Sequence, residues 1–368
     1  MKYTVTVEED PDTGDLVLPL PTDLLNQMGW DIGDDLVWND NFNGSFSLSK
    51  KVDKEQQKAY NVTMSNVDKK YYYSEIFHSI QGEGHYTGVP TAWIRFFLCN
   101  LQCNGFGQID PTNPDTYDLP FEHYDVSQVK RVEDLPVWEK GCDSSYTWSK
   151  KFKHLMGQKT AVELAHEIIN VLKTDSNPEG LFLHPVTGQR QHFCVTGGEP
   201  LMKHAQEAFI GIMTEFKRLD NMPASVTFET NGTQELTQEF KDFWHVDNEV
   251  TKDVELFFSV SPKLWTVAGE TAKKAIKPEV VSEYFKLSTR GQLKFVVGSE
   301  QQQWDEMESV IAQFKAQGVN YPIWVMPVGA REEEQTATAG SVAKMAFQRG
   351  YNVAARVHVY LFGNAIGT

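Results

Sequence analysis

The chain is poor in cysteine, short of cations and free of long apolar runs, and each shortage removes a class of function. Four cysteines are spread unevenly over 368 residues. That is no disulfide framework, so the thiols are expected to stay reduced for ligation, catalysis or packing. Lys and Arg number 34 against 50 Asp and Glu, a formal net charge of -16. Such a surface repels a phosphate backbone, and nucleic acid is not the expected partner. No apolar run approaches the ~18 residues a membrane span needs, and the opening MKYTVTVEEDPDTG is acidic where a secretory leader would be basic and then apolar. The chain therefore reads as soluble and cytoplasmic, with no membrane partner. Core-forming material is plentiful, with 40% hydrophobic and 12% aromatic residues. The length exceeds what one core usually serves, so a large domain with a smaller companion is expected.

Three regions follow one another. Residues 1–51 carry the short apolar runs YTVTV, LVLPL, DLVW and SFSLS around one helical stretch, PTDLLNQMGW, with Gly14, Gly29 and Gly33 at turn positions. This is a small β-rich module. Residues 52–70 are polar and weakly periodic and read as a linker whose end joins the next region. Over residues 71–368 strands and helices alternate, the arrangement of a parallel sheet with helical crossovers. Strand candidates are HFCVTGG, SVTFETNG, VELFFSVSP, LKFVVG, PIWVMPVG and ARVHVYLFG. The clearest helix is TAVELAHEIINVLK, with Thr160 and Glu163 as a capping box and Ala161, Ala165, Ile168 and Leu172 on one face. Trp304, Met307, Ile311 and Phe314 form a second helical stripe. About six βα units predict an α/β fold built on a partial (β/α) barrel.

Cys99 and Cys103 have the spacing of an iron-sulfur ligand pair, yet Phe106 stands where a third cysteine would be expected. The stretch 104–141 holds eight Asp or Glu and four Pro, and then comes KGCDSSYTW. If 104–141 is an insertion, splicing it out joins CNLQC almost directly to CDSSYTW and makes Cys142 the third ligand. Lengthening the gap this far costs about 2.6 kcal/mol of loop-closure entropy, small beside the ~10 kcal/mol that forming a metal site typically contributes. Cys194 sits in an apolar strand candidate and reads as a packing residue.

The spliced string resembles the radical S-adenosylmethionine (SAM) 7-carboxy-7-deazaguanine synthase family. The likeness extends through EIFHSIQGEGHYTGVPTAWIRFFLCNLQC, VTGGEPL, FETNGT, SVSPK and LKFVV, in that order, and covers roughly residues 71–368. It implies a carbon-nitrogen lyase that turns 6-carboxy-5,6,7,8-tetrahydropterin into 7-carboxy-7-deazaguanine with loss of ammonia, a precursor of queuosine and other 7-deazapurines. It further implies that Cys99, Cys103 and Cys142 hold a [4Fe-4S] cluster with one iron open to the amino and carboxylate groups of SAM. Gly197, Gly198 and Glu199, with Glu229, Asn231, Ser261 and Lys263 at strand ends, become the SAM-binding set. Gln81 and Glu83 are expected to meet the pterin edge and Arg95 its carboxylate. Ser144 is expected to take Mg2+, with His358 and Thr368 helping to close the pocket. The implied partners are a reductant such as flavodoxin or ferredoxin and a second copy of the chain. Two alternatives remain: a glycyl-radical activating enzyme, or a non-catalytic regulator that uses the barrel as a binding surface.

The N-terminal module belongs to a different resemblance. LVLPLPTDLLNQMGWDIGDDLVW is similar to the swapped-hairpin fold of AbrB-like regulators at Pro21, Leu24, Leu25, Gly29, Gly33 and Asp34. Those regulators bind DNA through cations, whereas residues 1–51 hold three Lys, no Arg and ten Asp or Glu, giving 3 - 10 = -7. Dimerisation or docking is the expected role, with DNA binding disfavoured.

Overall fold

The computed structural model describes residues 6–9, 14, 16–28, 30, 36–40, 46–50, 68–363 and 365–367. The chain divides into two compact units, Met1–Asn66 and Val67–Thr368. Among the described residues no helix is long and apolar enough to cross a membrane.

The first unit is β-rich, as its short apolar runs predict. Strands β1 (Glu8–Glu9) and β2 (Leu16–Val17) pair antiparallel, helix α1 spans Thr22–Met28, and β3 (Leu36–Asp40) pairs antiparallel with β4 (Phe46–Lys50). Most of YTVTV, the turn positions Gly29 and Gly33, Asp34 and nearly all of the linker lie outside the described residues.

The second unit is an open α/β sheet. Its strands are β5 (Lys70–Ile80), β6 (Pro90–Phe96), β7 (Gly157–Thr160), β8 (His192–Gly197), β9 (Ser225–Thr230), β10 (Glu255–Val260), β11 (Gly291–Val297), β12 (Ile323–Pro327) and β13 (Asn352–Val353). They are ordered β13-β12-β11-β10-β9-β8-β6-β5-β7. From β6 through β8 to β13 every pairing is parallel, while β5 and β7 close one edge antiparallel. The two end strands do not pair with each other, so this is a partial barrel. The principal crossover helices are α2 (Ala161–Val171), α3 (Lys203–Arg218), α4 (Gln238–Phe243), α5 (Pro278–Leu287), α6 (Gln301–Ala316) and α7 (Glu332–Gln348), followed by α8 (Val357–Phe362).

Period-two alternation splits each strand between core and site. Ile94, Phe96, Phe193, Val195, Phe228, Phe258, Phe295 and Val297 join one buried core with Ile168, Phe209, Phe216, Trp304, Met307, Ile311 and Phe314 from the helices. Their neighbours on the strands, Trp93, Arg95, Thr196, Glu229, Lys294 and Val296, line a cavity instead. The capping box of α2 is complete: Glu163 N–H donates to Thr160 Oγ1 and Thr160 N–H to Glu163 Oε2.

Two segments depart from a plain strand-and-crossover reading. The tail is helical at α8, so the expected strand over ARVHVYLFG is corrected. Alternating Val357, Val359 and Leu361 mimic a strand, but Arg356 is held by Glu83 and Asp143, and left-handed Gly363 stops a short helix of which only Val359 is buried. The stretch 104–141 forms a second small core, in which Leu119, Phe121, Val129, Val132, Leu135 and Trp138 pack with Tyr146 and Phe152. Its neck is closed by Gly141 N–H donating to Phe106 O at 2.8 Å. Gly107 sits in that neck at φ +68, and a Cβ there would lie 2.4 Å from Glu139 O. Gly107→Ala is therefore expected to cost about 1–3 kcal/mol of backbone strain, read as a lower melting temperature.

Candidate active site

Closure of the neck draws the three expected thiols together. Because residues 106 and 141 meet, Cys142 returns to the loop that carries Cys99 and Cys103, and the three thiols interact electrostatically. That loop is tightly shaped. Leu98 and Cys103 adopt φ of 85 and 53, a left-handed conformation that L-residues keep only when their surroundings enforce it. Leu98 N–H donates to Thr147 O, Glu199 N–H to Leu98 O, and the amides of Gln102 and Cys103 both to Glu270 Oε1.

The two glycines of TGGEP permit a close approach, and what approaches is the thiol loop itself. A Cβ on Gly198 would lie 2.4 Å from Leu98 O and 2.7 Å from Cys99 Cβ, and one on Gly197 would lie 2.6 Å from Phe96 O. Glu199 is fully buried and braces the strand ends. Its Oε1 accepts from Thr230 Oγ1 (2.7 Å) and Leu201 N–H (3.0 Å), and its Oε2 from Asn231 N–H (2.8 Å). Burial lifts its pKa to about 7 against those hydrogen bonds. Asn231 also places its amide 4.0 Å from Cys99 Sγ. Lys263 Nζ donates to Ser261 Oγ at 2.9 Å and lies 5.8 Å from the centre of the Phe106 ring.

Burial pushes the Cys99 thiol up to about 12, raises Cys142 and lifts Cys103 well above the ordinary range. A bound cation reverses this, because coordination deprotonates a thiol outright. Among the described residues no group of three or more His, Cys, Asp or Glu converges on a single ion. Three thiols are the donor set that an iron-sulfur group takes. Ser144, whose Oγ is 3.5 Å from Cys142 Sγ, offers one hard oxygen on the cavity wall.

The cavity measures about 690 Å³, within the range of small-molecule sites. Cys142, Ser144, Gly197, Gly198, Asn231, Ser261 and Lys263 stand on its wall, and so do Gln81, Glu83, Arg95 and Glu229. Cys99, Cys103 and Glu199 are not on that wall, and Thr368 lies outside the described residues. The polar wall is one connected network. Lys294, 4% exposed, bridges Glu83 Oε2 at 2.6 Å and Glu229 Oε2 at 2.9 Å. Gln81 Nε2 donates to Glu229 Oε1, and Arg356 Nε pairs with Glu83 Oε1 at 3.0 Å while its Nη2 reaches Asp143. Burial alone would raise Glu83, but the charges of Lys294 and Arg356 outweigh it and hold the carboxyl well below the usual range. Glu229, placed by motif in the cofactor set, thus stands beside Gln81 and Lys294. Arg95 Nε meets Glu75 Oε1 at 2.5 Å, and Tyr146 donates to the same oxygen. His358 lines the cavity beneath Gly82, neutral because burial lowers its pKa to about 4.

Sequence reasoning missed Glu75, Asp143, Tyr146, Glu270, Lys294 and Arg356. Lys294 did carry a signal, being a lone cation in the apolar strand LKFVV.

Known proteins resemble this chain over most of its length. A 7-carboxy-7-deazaguanine synthase of Halobacterium salinarum is 24% identical over 313 residues, covering 79% of this chain and 90% of that protein. Its counterpart in Pyrobaculum aerophilum is 26% identical over 294 residues, covering 80% and 95%. Over about four fifths of its length the chain is a relative of curated 7-carboxy-7-deazaguanine synthases. It is an enzyme, a radical SAM lyase. No family model matches the chain. The crystal structure of QueE from Escherichia coli aligns with 80% of this chain and 98% of that one at 18% identity, with a TM-score of 0.44.

Proposed function

We propose that this chain converts 6-carboxy-5,6,7,8-tetrahydropterin to 7-carboxy-7-deazaguanine with loss of ammonia, using a [4Fe-4S] cluster on Cys99, Cys103 and Cys142, SAM, and Mg2+ at Ser144. The observation that carries this reading is one small-molecule cavity whose wall holds Cys142, Ser261, Lys263 and the Glu83–Lys294–Glu229 network together. When bound, the cluster supplies the electron for reductive cleavage of SAM. The protein's own groups bind and orient. Glu83, ionised across the physiological range, accepts from the donor-rich pterin edge, and Gln81 offers its amide there. Among the described residues Glu75 takes only Nε of Arg95, which leaves the terminal nitrogens for the substrate carboxylate. Asn231, Ser261 and Lys263 supply polar contacts for SAM beside the thiol loop.

A cavity of this size suits a small substrate, and the relatives named above are synthases rather than glycyl-radical activating enzymes. Anaerobic reconstitution followed by SAM cleavage with and without the carboxypterin tests the reading. Pterin-dependent product with ammonia release is expected, and cleavage indifferent to the pterin overturns it.

For the N-terminal unit we propose an AbrB-like docking or dimerising role, supported by its paired hairpin strands and its charge of -7 rather than by any cationic surface. The chain is proposed to act as a homodimer in the cytoplasm, reduced by flavodoxin or ferredoxin. Removing residues 1–66 is expected to change oligomeric state or stability, measured by sedimentation and melting, while leaving cluster content and turnover within about twofold, because each ligand named lies in the other compact unit. Sub-micromolar, sequence-selective DNA binding by the full chain at low salt would show that the charge argument failed.

A further inference from the structure

One buried carboxylate beside the thiol loop has no place in substrate or SAM binding. Glu270 is 5% exposed, and its Oε1 accepts from the amides of Gln102 at 2.7 Å and Cys103 at 2.9 Å. Its Oε2 meets Lys274 Nζ at 3.1 Å on the solvent side. The segment that carries it is clipped to the same loop, since Gly105 N–H donates to Ala268 O at 3.0 Å. A Cβ on Gly105 would lie 2.5 Å from Gly269 N, so the two backbones are in close contact. Glu270 is also among the charges that act on the Cys103 thiol, opposed there by Lys263.

Amides next to a ligating cysteine are free in principle to donate to cluster sulfur, and such donation makes a cluster easier to reduce. Here two of them are spent on a carboxylate whose charge, poorly screened by burial, acts in the same direction as their loss. A neutral acceptor would satisfy the same two N–H groups without placing a second anion beside thiolates. We propose that Glu270 is a positioning residue that holds Cys103 in its left-handed conformation through Oε1 and, through its charge, makes the cluster harder to reduce and hence a stronger reductant. This rests on the cluster assignment proposed above.

The test uses the full chain, reconstituted anaerobically, with iron content, melting temperature and a reductive titration followed by electron paramagnetic resonance. Glu270→Gln keeps an oxygen for both amides and removes the charge. It is expected to retain the cluster and to shift its reduction equilibrium about tenfold toward the reduced form, about 59 mV for a one-electron couple. Lys274→Met uncovers the carboxylate and is expected to shift the potential the other way by less, since Lys274 is half exposed and screened. Glu270→Ala loses both contacts and is expected to hold iron poorly. The proposal is overturned by an unchanged or lowered potential in Glu270→Gln, by loss of its cluster at an unaltered melting temperature, or by full iron retention in Glu270→Ala. A wild-type chain that takes up no cluster overturns the cluster assignment instead.

Discussion

Cys142→Ala should abolish the visible iron-sulfur absorption of the reconstituted protein, whereas Cys194→Ala should leave it intact. The expectation rests on two placements. Closure of the neck between Phe106 and Gly141 carries Cys142 to the loop of Cys99 and Cys103, across 38 intervening residues that fold on their own aromatic core. Cys194 instead lies fully buried within β8, between Phe193 and Val195, apart from that loop. Two thiolates cannot hold the site that three complete, so loss of any of Cys99, Cys103 or Cys142 should be all or nothing in iron content. A Cys142→Ala protein that still binds four irons, or a Cys194→Ala protein that binds none, would falsify the ligand assignment.

Lys294→Met should be the most damaging change in the cavity. The ammonium, 4% exposed, neutralises two carboxylates at 2.6 and 2.9 Å. Methionine matches its length but, among the described residues, leaves Glu83 with the Arg356 ion pair and Glu229 with the Gln81 amide. Removing one partner of a buried ion pair costs about 3–5 kcal/mol, and turnover should fall below detection while cluster absorption persists. The pH dependence follows in sign. In the wild type the folded-state pKa of Glu83 is depressed, so its contribution to stability is present above the unfolded value and is lost as pH falls through the folded one. In Lys294→Met the Glu83 carboxylate loses the first of the cations that hold its pKa down, its folded-state pKa rises, and the destabilisation should shrink as pH is lowered from 8 to 5. The double variant Lys294→Met, Glu83→Gln should recover part of the loss, a coupling read from a double-mutant cycle. Additive effects, or a deficit that grows toward acid, would show that the network is not coupled in this way.

Much of this protein was determined by local pattern. Short apolar runs such as HFCVTG and ELFFSV became β8 and β10, buried at nearly every position, and the 3.6-residue stripe of Trp304, Met307, Ile311 and Phe314 became the buried face of α6, because both are patterns of neighbours along the chain. The thiols stood out because cysteine spacing is itself a local pattern. Partnerships between distant residues were decided by tertiary structure alone. Ser74 and Glu75 of β5 together oppose Arg95, a bulge that sets Glu75 directly across from the guanidinium. Glu83 meets Lys294 and Arg356 across 211 and 273 residues of chain, and Glu270 meets Cys103 across 167. The helical tail belongs here too, since whether Val357, Val359 and Leu361 form a strand depends on an edge to pair with, and Arg356 is drawn instead toward Glu83 and Asp143. Secondary structure reads the near chain, whereas a charge is satisfied by whatever the fold brings within a few ångströms.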